Sequence, residues 1–154
     1  MKGNEKILEK LNDILSDELT AVNQYMVHAE MSEDWGYGRL AEVVEKRAIM
    51  EMKHAEPIIA RILFLEGIPV VSTLNPMHIG DNVEKQLKND LAEELEAIKV
   101  YSESITLCAQ KGDYGTQELL KSILSDEEGH LDWIEEQLDQ ISQMSIQVYL
   151  STKG

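Results

Sequence analysis

Four glutamates and two histidines carry the strongest chemical signal in this 154-residue sequence: Glu18, Glu51 and His54 in the first half, Glu94, Glu127 and His130 in the second. The same 76-residue offset separates Glu18 from Glu94, Glu51 from Glu127, and His54 from His130, and it also separates Tyr25 from Tyr101. Two equivalent halves of one site are the natural reading. A Glu-x-x-His pair on a helix places a carboxylate and an imidazole on one face, and two such pairs with two further glutamates suit a dinuclear metal centre in a helical bundle. Four carboxylates buried together need positive charge, because each loses its hydration and repels the others. Two divalent ions would balance them, with neutral imidazoles as nitrogen donors. Mixed oxygen and nitrogen ligands favour iron or manganese over magnesium, although zinc could occupy such a site inertly. Glu51 and Glu127, each three residues before a histidine, are expected to bridge the ions, leaving Glu18 and Glu94 terminal. Tyr25 and Tyr101 follow the terminal glutamates by two helical turns, where they either bond the carboxylates, donate electrons, or simply sit in the core.

The elements that position these residues are helices. Proline occurs only at 57, 69 and 76, and apolar residues recur at spacings of three and four almost throughout. A first helix over 5–34 runs Ile7, Leu11, Ile14, Glu18, Val22, Tyr25 and Ala29 along one stripe. A second over 38–66 carries Leu40, Val44, Arg47, Glu51, His54, Ile58, Ile62 and Leu65, with Gly67 as its stop and Pro57 inside it, where a bend or a local loosening is expected. Residues 67–80 read as a long crossing loop. Asp81 with Glu84 resembles a capping box for a third helix, which lists Leu87, Leu91, Glu94, Ile98, Tyr101, Ile105 and Cys108. Asp113 is expected to cap a fourth, with Leu120, Ile123, Glu127, His130, Ile134, Leu138 and Ile141 inward. The tail SIQVYLSTKG is expected to add another helical turn or two.

Two short turns and one long crossover between helices 2 and 3 give an all-α, four-helix bundle of ferritin-like connectivity, expected to be a single domain over 1–154, with a short fifth helix at the C-terminus. The turns agree with the site. Gly36 lies midway between Glu18 and His54, and Gly112 midway between Glu94 and His130, so in antiparallel pairs the six side chains share one level of the bundle.

Bulk properties narrow the partners. A formal charge of −15 has the wrong sign for a phosphate backbone, so nucleic acid is not expected. The lone Cys108 is read as a core residue in a reducing cytoplasm. No signal-peptide-like apolar run opens the chain. The most apolar stretch, 58–71, is interrupted by Arg61, Glu66, Gly67 and Pro69, which argues against membrane insertion.

The runs EMKHAE, RILFLEG, VNQY and DEEGHLDW resemble the bacterioferritin family over essentially the whole chain, with all six ligand positions matched. The resemblance implies a ferroxidase that oxidises Fe(II) with dioxygen or hydrogen peroxide and stores ferric mineral. It implies a homo-oligomeric cage of 24 subunits, and a small ferredoxin that delivers electrons for iron release. It also implies haem b or a related porphyrin held between two subunits by Met52. At about 100° per residue Met52 projects roughly 160° from His54, so it points outward. Lys46 and Met50 stand where some members carry a histidine and an aspartate facing the cavity, so that accessory iron site is expected to be lost. His28 and His78 are read as ordinary polar residues. Rival readings are a di-metal peroxidase or catalase, and a non-enzymatic haem- or metal-binding assembly.

Overall fold

A computed structural model describes residues 1–154 and contains five helices: α1 (Glu5–Asp34), α2 (Gly38–Phe64), α3 (Val83–Gln110), α4 (Tyr114–Met144) and α5 (Ile146–Ser151). α1 packs along α2 and α3 along α4 as antiparallel pairs, and the pairs join chiefly through α1 and α3. The bundle and its connectivity are those expected from the sequence. Gly36 and Gly112 take φ of +85° and +73° in the two short turns, a backbone region that glycine enters without steric cost.

Two boundary details differ from expectation. Asn82, not Asp81, caps α3, its side chain accepting from the Lys85 amide. At the end of α2 the left-handed residue is Glu66, with φ +61°, while Gly67 matters for space: a Cβ there would come within 2.5 Å of Leu8 Cδ2. As expected, Pro57 lies inside α2, which runs as helix on both sides of it. Asp113 caps α4 as expected, accepting from the Thr116 amide.

The apolar core falls into two clusters. One contains Leu11, Ile14, Ile58, Ile62, Cys108 and Leu120. The other contains Leu40, Val44, Leu87, Ile134, Ile141 and Tyr149. On every long helix the site residues lie between the stretches that feed the two clusters, so the bundle is apolar at both ends and polar in the middle. Helix stripes hold this layer rigidly, since each glutamate or histidine is flanked by close-packed turns above and below. α5 closes one end, with the buried Tyr149 hydroxyl donating to Gln137 Oε1 at 2.7 Å.

The crossover after α2 is tied along α1 by polar side chains. Asn12 accepts from the Val70 amide at 2.8 Å, Thr20 from Asn75 at 2.9 Å, Gln24 from His78 at 3.0 Å, and His28 Nε2 from Gly80 at 3.2 Å. Spacings of four and eight put all four on one face of α1. The loop is thereby supplied with partners for amides that a packed surface would otherwise leave unpaired. His28, expected to be an unremarkable polar residue, is buried in this seam, and its Nδ1 lies 3.0 Å from Asp90 Oδ1. No helix is long and apolar enough to cross a membrane.

Candidate metal centre

All six sequence-predicted ligands meet in the middle layer, and all are buried. Their donor atoms form two overlapping groups, Glu18, Glu51, His54 and Glu127, and Glu51, Glu94, Glu127 and His130, each with ligand atoms within 4.8 Å of one another. Glu51 and Glu127 belong to both groups and Glu18 and Glu94 to one each, an arrangement in which the first pair would bridge two ions.

The imidazoles face the carboxylates through Nδ1. His54 Nδ1 lies 3.2 Å from Glu127 Oε1, 3.6 Å from Glu18 and 3.7 Å from Glu51, and His130 Nδ1 lies 2.9 Å from Glu94 Oε1. Behind His54, Nε2 meets Asp126 Oδ2 at 3.0 Å. When His54 is neutral, a carboxylate on the far nitrogen would keep the proton there and leave Nδ1 as a metal donor. The halves differ here: the residue 76 positions before Asp126 is the exposed Met50. His130 instead packs between Tyr25, edge-on at 5.2 Å, and Trp133, stacked at 6.1 Å.

The tyrosines cross between the halves. Tyr25 donates to Glu94 Oε1 and Tyr101 to Glu18 Oε1, both at 2.5 Å. Of the alternatives open at the sequence level, the carboxylate bond is the one the geometry contains. Burial, then the facing carboxylate, pushes both phenols well above their ordinary range, so they stay protonated donors.

One permanent cation reaches the cluster. Arg47 Nη2 donates to Glu127 Oε2 at 2.7 Å and lies 2.6 Å from Glu51 Oε1, the latter an ion pair too poorly angled for a hydrogen bond. Burial raises the Glu18 and Glu94 carboxyls well above their usual range, with Glu51's charge adding to the shift at Glu18 and Glu127 to that at Glu94. Burial acts the same way on Glu127, but bonds to Glu94 and His54 and the charge of Arg47 outweigh it and hold that carboxyl low. At His54 the carboxylate bonds overcome burial and push the imidazole up to about 12, whereas burial and Arg47 depress His130 to about 3.

Metal fits this donor set. Glu18 Oε2 and Glu94 Oε2 are buried oxygens with no hydrogen-bond partner, and Glu51 Oε1 has only its poorly angled contact with Arg47. Unpaired buried oxygens are costly, and these oxygens beside two imidazole nitrogens are what divalent cations would satisfy. An open cavity of about 410 Å³ reaches the cluster, lined by Asp17, Glu18, Glu51, Glu93, Glu94 and Glu127 among others.

Outside the cluster, Met52 is exposed on α2, as its angular offset from His54 requires, and Lys46 and Met50 are exposed too. Sequence reasoning missed Asp126 and the pairing of Arg47. The inward position of Arg47 on the α2 stripe was the available signal for the second; the first had none, since Asp126 lies on an exposed flank and acts across to another helix.

A ferritin-like domain matches residues 8–144. The chain is 45% identical over 149 residues to a bacterioferritin of Brucella melitensis, covering 97% of this chain and 92% of the relative. It is 46% identical over 138 residues to one of Rhodobacter capsulatus, covering 90% and 86%, and 39% identical over 149 residues to one of Mycolicibacterium paratuberculosis, covering 97% and 94%.

Proposed function

We propose, since the chain belongs to the bacterioferritin family of ferritin-like iron-storage proteins, that it stores iron by first oxidising it at an intra-subunit centre made of Glu18, Glu51, His54, Glu94, Glu127 and His130. The observation that carries this reading is the pair of overlapping ligand groups sharing Glu51 and Glu127. When two ferrous ions are bound there, each supplies one electron to dioxygen or hydrogen peroxide.

The protein's part is to bind, orient and shield. Acidic walls, including Asp17 and Glu93, and a net charge of −15 favour cations in the cleft. Glu51 and Glu127 span both metal positions, while Glu18 and Glu94 each serve one. Tyr101 and Tyr25 hold one oxygen of these terminal carboxylates and leave the other, unpaired oxygen for metal. Asp126 would hold the proton on Nε2 when His54 gives up its Nδ1 proton to bind metal. The apolar clusters above and below bury the layer, and burial strengthens the charge interactions within it.

The whole chain works as one ferritin-like unit in an oligomeric cage of 24 subunits around a ferric mineral. Exposed Met52 binds haem b or a related porphyrin together with the Met52 of a second copy, the thioether being a soft ligand suited to haem iron. A small ferredoxin supplies electrons for iron release, and the working compartment is the cytoplasm. Lys46 and Met50 offer no paired histidine and carboxylate for an accessory iron site.

The test is ferrous oxidation followed by absorbance, with wild type beside the Glu51→Ala/Glu127→Ala double variant. Fast oxidation of about two irons per chain, lost in the double variant, is expected. Equal, buffer-like rates in both would refute ferroxidase activity and leave a metal- or haem-binding assembly.

A further inference from the structure

Arg47 occupies a place in the metal layer that the six ligands do not explain. It is the one arginine or lysine in contact with the cluster, and a single nitrogen, Nη2, touches both shared carboxylates, Glu51 Oε1 at 2.6 Å and Glu127 Oε2 at 2.7 Å. The other oxygens of these same carboxylates face His54 Nδ1, Glu127 Oε1 at 3.2 Å and Glu51 Oε2 at 3.7 Å. Glu51 and Glu127 thus spend one oxygen on the guanidinium and keep the second turned to the Glu18/His54 half.

Charge balance shows what this means for metal. Two divalent ions neutralise four carboxylates. A guanidinium left within 3 Å of the shared oxygens would add an unbalanced positive charge beside two dications in a buried layer, where repulsion is weakly screened. The arginine's grip is one-sided: Nε is buried without a partner and one nitrogen makes both contacts, while the side chain is not fully enclosed, at 12% exposed. Such a group can leave for water more easily than one gripped by a bidentate fork.

We propose that Arg47 is a resident counter-cation that stands in for metal at the Glu94/His130 half, so that the Glu18/His54 half fills first and the second ion binds only by displacing the guanidinium. This rests on the di-metal reading above. It makes binding stepwise, and it keeps the carboxylate layer folded between loadings by supplying charge that would otherwise be absent.

The experiment is a Co(II) titration of the assembled, metal-free protein, read by cobalt absorption, with wild type beside Arg47→Gln. Wild type is expected to bind two ions per chain in separate steps. The variant should tighten the second step about tenfold or more, the equivalent of one charge-assisted hydrogen bond no longer broken, and leave the first within about threefold. A second step unchanged or weakened, or both steps shifted alike, would overturn the role of Arg47. Fewer than two ions bound to wild type would instead bring down the di-metal reading itself. Wild type alone gives an independent readout if the variant does not fold. Phenylglyoxal should modify Arg47, identified by peptide mass, only once the second Co(II) is bound. Equal protection at zero and two equivalents would also sink the proposal.

Discussion

Replacing Asp126 by Asn is expected to weaken one metal position and spare the other. In wild type, Asp126 Oδ2 meets His54 Nε2 at 3.0 Å, and nothing equivalent backs His130, because the repeat places Met50 where a second aspartate would stand. Outer carboxylates on metal-binding histidines are worth about 10- to 100-fold in affinity, or ~1.4 to 2.8 kcal/mol. Asp126 is 54% exposed, so water screens its charge and competes for the imidazole, placing the loss near the lower bound, about tenfold. Cobalt absorption titrations of metal-free wild type and Asp126→Asn should show the tighter step weakened by that factor and the other within about twofold. Equal weakening of both steps, or of neither, would refute the claim that the halves differ in how their histidines are oriented.

Tyr25→Phe and Tyr101→Phe each remove a 2.5 Å bond to a buried carboxylate and are expected to weaken Co(II) at one position by about tenfold; titration of the single variants would show whether either leaves both positions unaffected. Asp90→Ala removes the hydrogen-bond partner of Gln24 Nε2 and the carboxylate 3.0 Å from His28 Nδ1 at the crossover seam, at a cost of ~1 to 3 kcal/mol, so the metal-free protein should melt about 2 to 12 °C lower by circular dichroism. A loss under about 1 °C would mean that the seam is dispensable. Burial, then Asp113, pushes the Cys108 thiol up to about 11, so iodoacetamide at pH 8 should alkylate the native chain far more slowly than the unfolded one. The sign follows from the direction of the shift: below the ordinary thiol pKa near 9 neither state ionises and Cys108 leaves stability unchanged. Above it only the unfolded chain ionises, and stability falls. Met52→Leu should abolish the Soret absorbance of haem-reconstituted protein, and retention of the band would remove Met52 as the ligand.

The site was legible in the sequence because its signal is a spacing. Helical stripes say which residues face inward, the 76-residue repeat pairs them, and a glycine at each midpoint sets them at one height. What escaped the reading depends on contacts between helices at levels no stripe encodes. Asp126 sits on an exposed flank and reaches His54, which lies 72 residues away in sequence. The inward face of Arg47 was visible, but its partner Glu127 lies on α4, 80 residues on, and only packing brings them together. The crossover was correctly a loop, yet its attachment to Asn12, Thr20, Gln24 and His28 was hidden, because polar residues on an outer helix face ordinarily meet water. The boundary misses are local: Asp81 and Asn82 both make good caps and backbone geometry chose between them, while at the end of α2 Glu66 takes the left-handed turn that a glycine normally would.

The most direct measurement of the central claim is anomalous scattering at the iron edge from crystals loaded anaerobically with ferrous iron. Two peaks per chain, one among Glu18, Glu51, His54 and Glu127 and the other among Glu51, Glu94, Glu127 and His130, are the predicted result. A single peak, or peaks away from Glu51 and Glu127, would contradict the dinuclear centre.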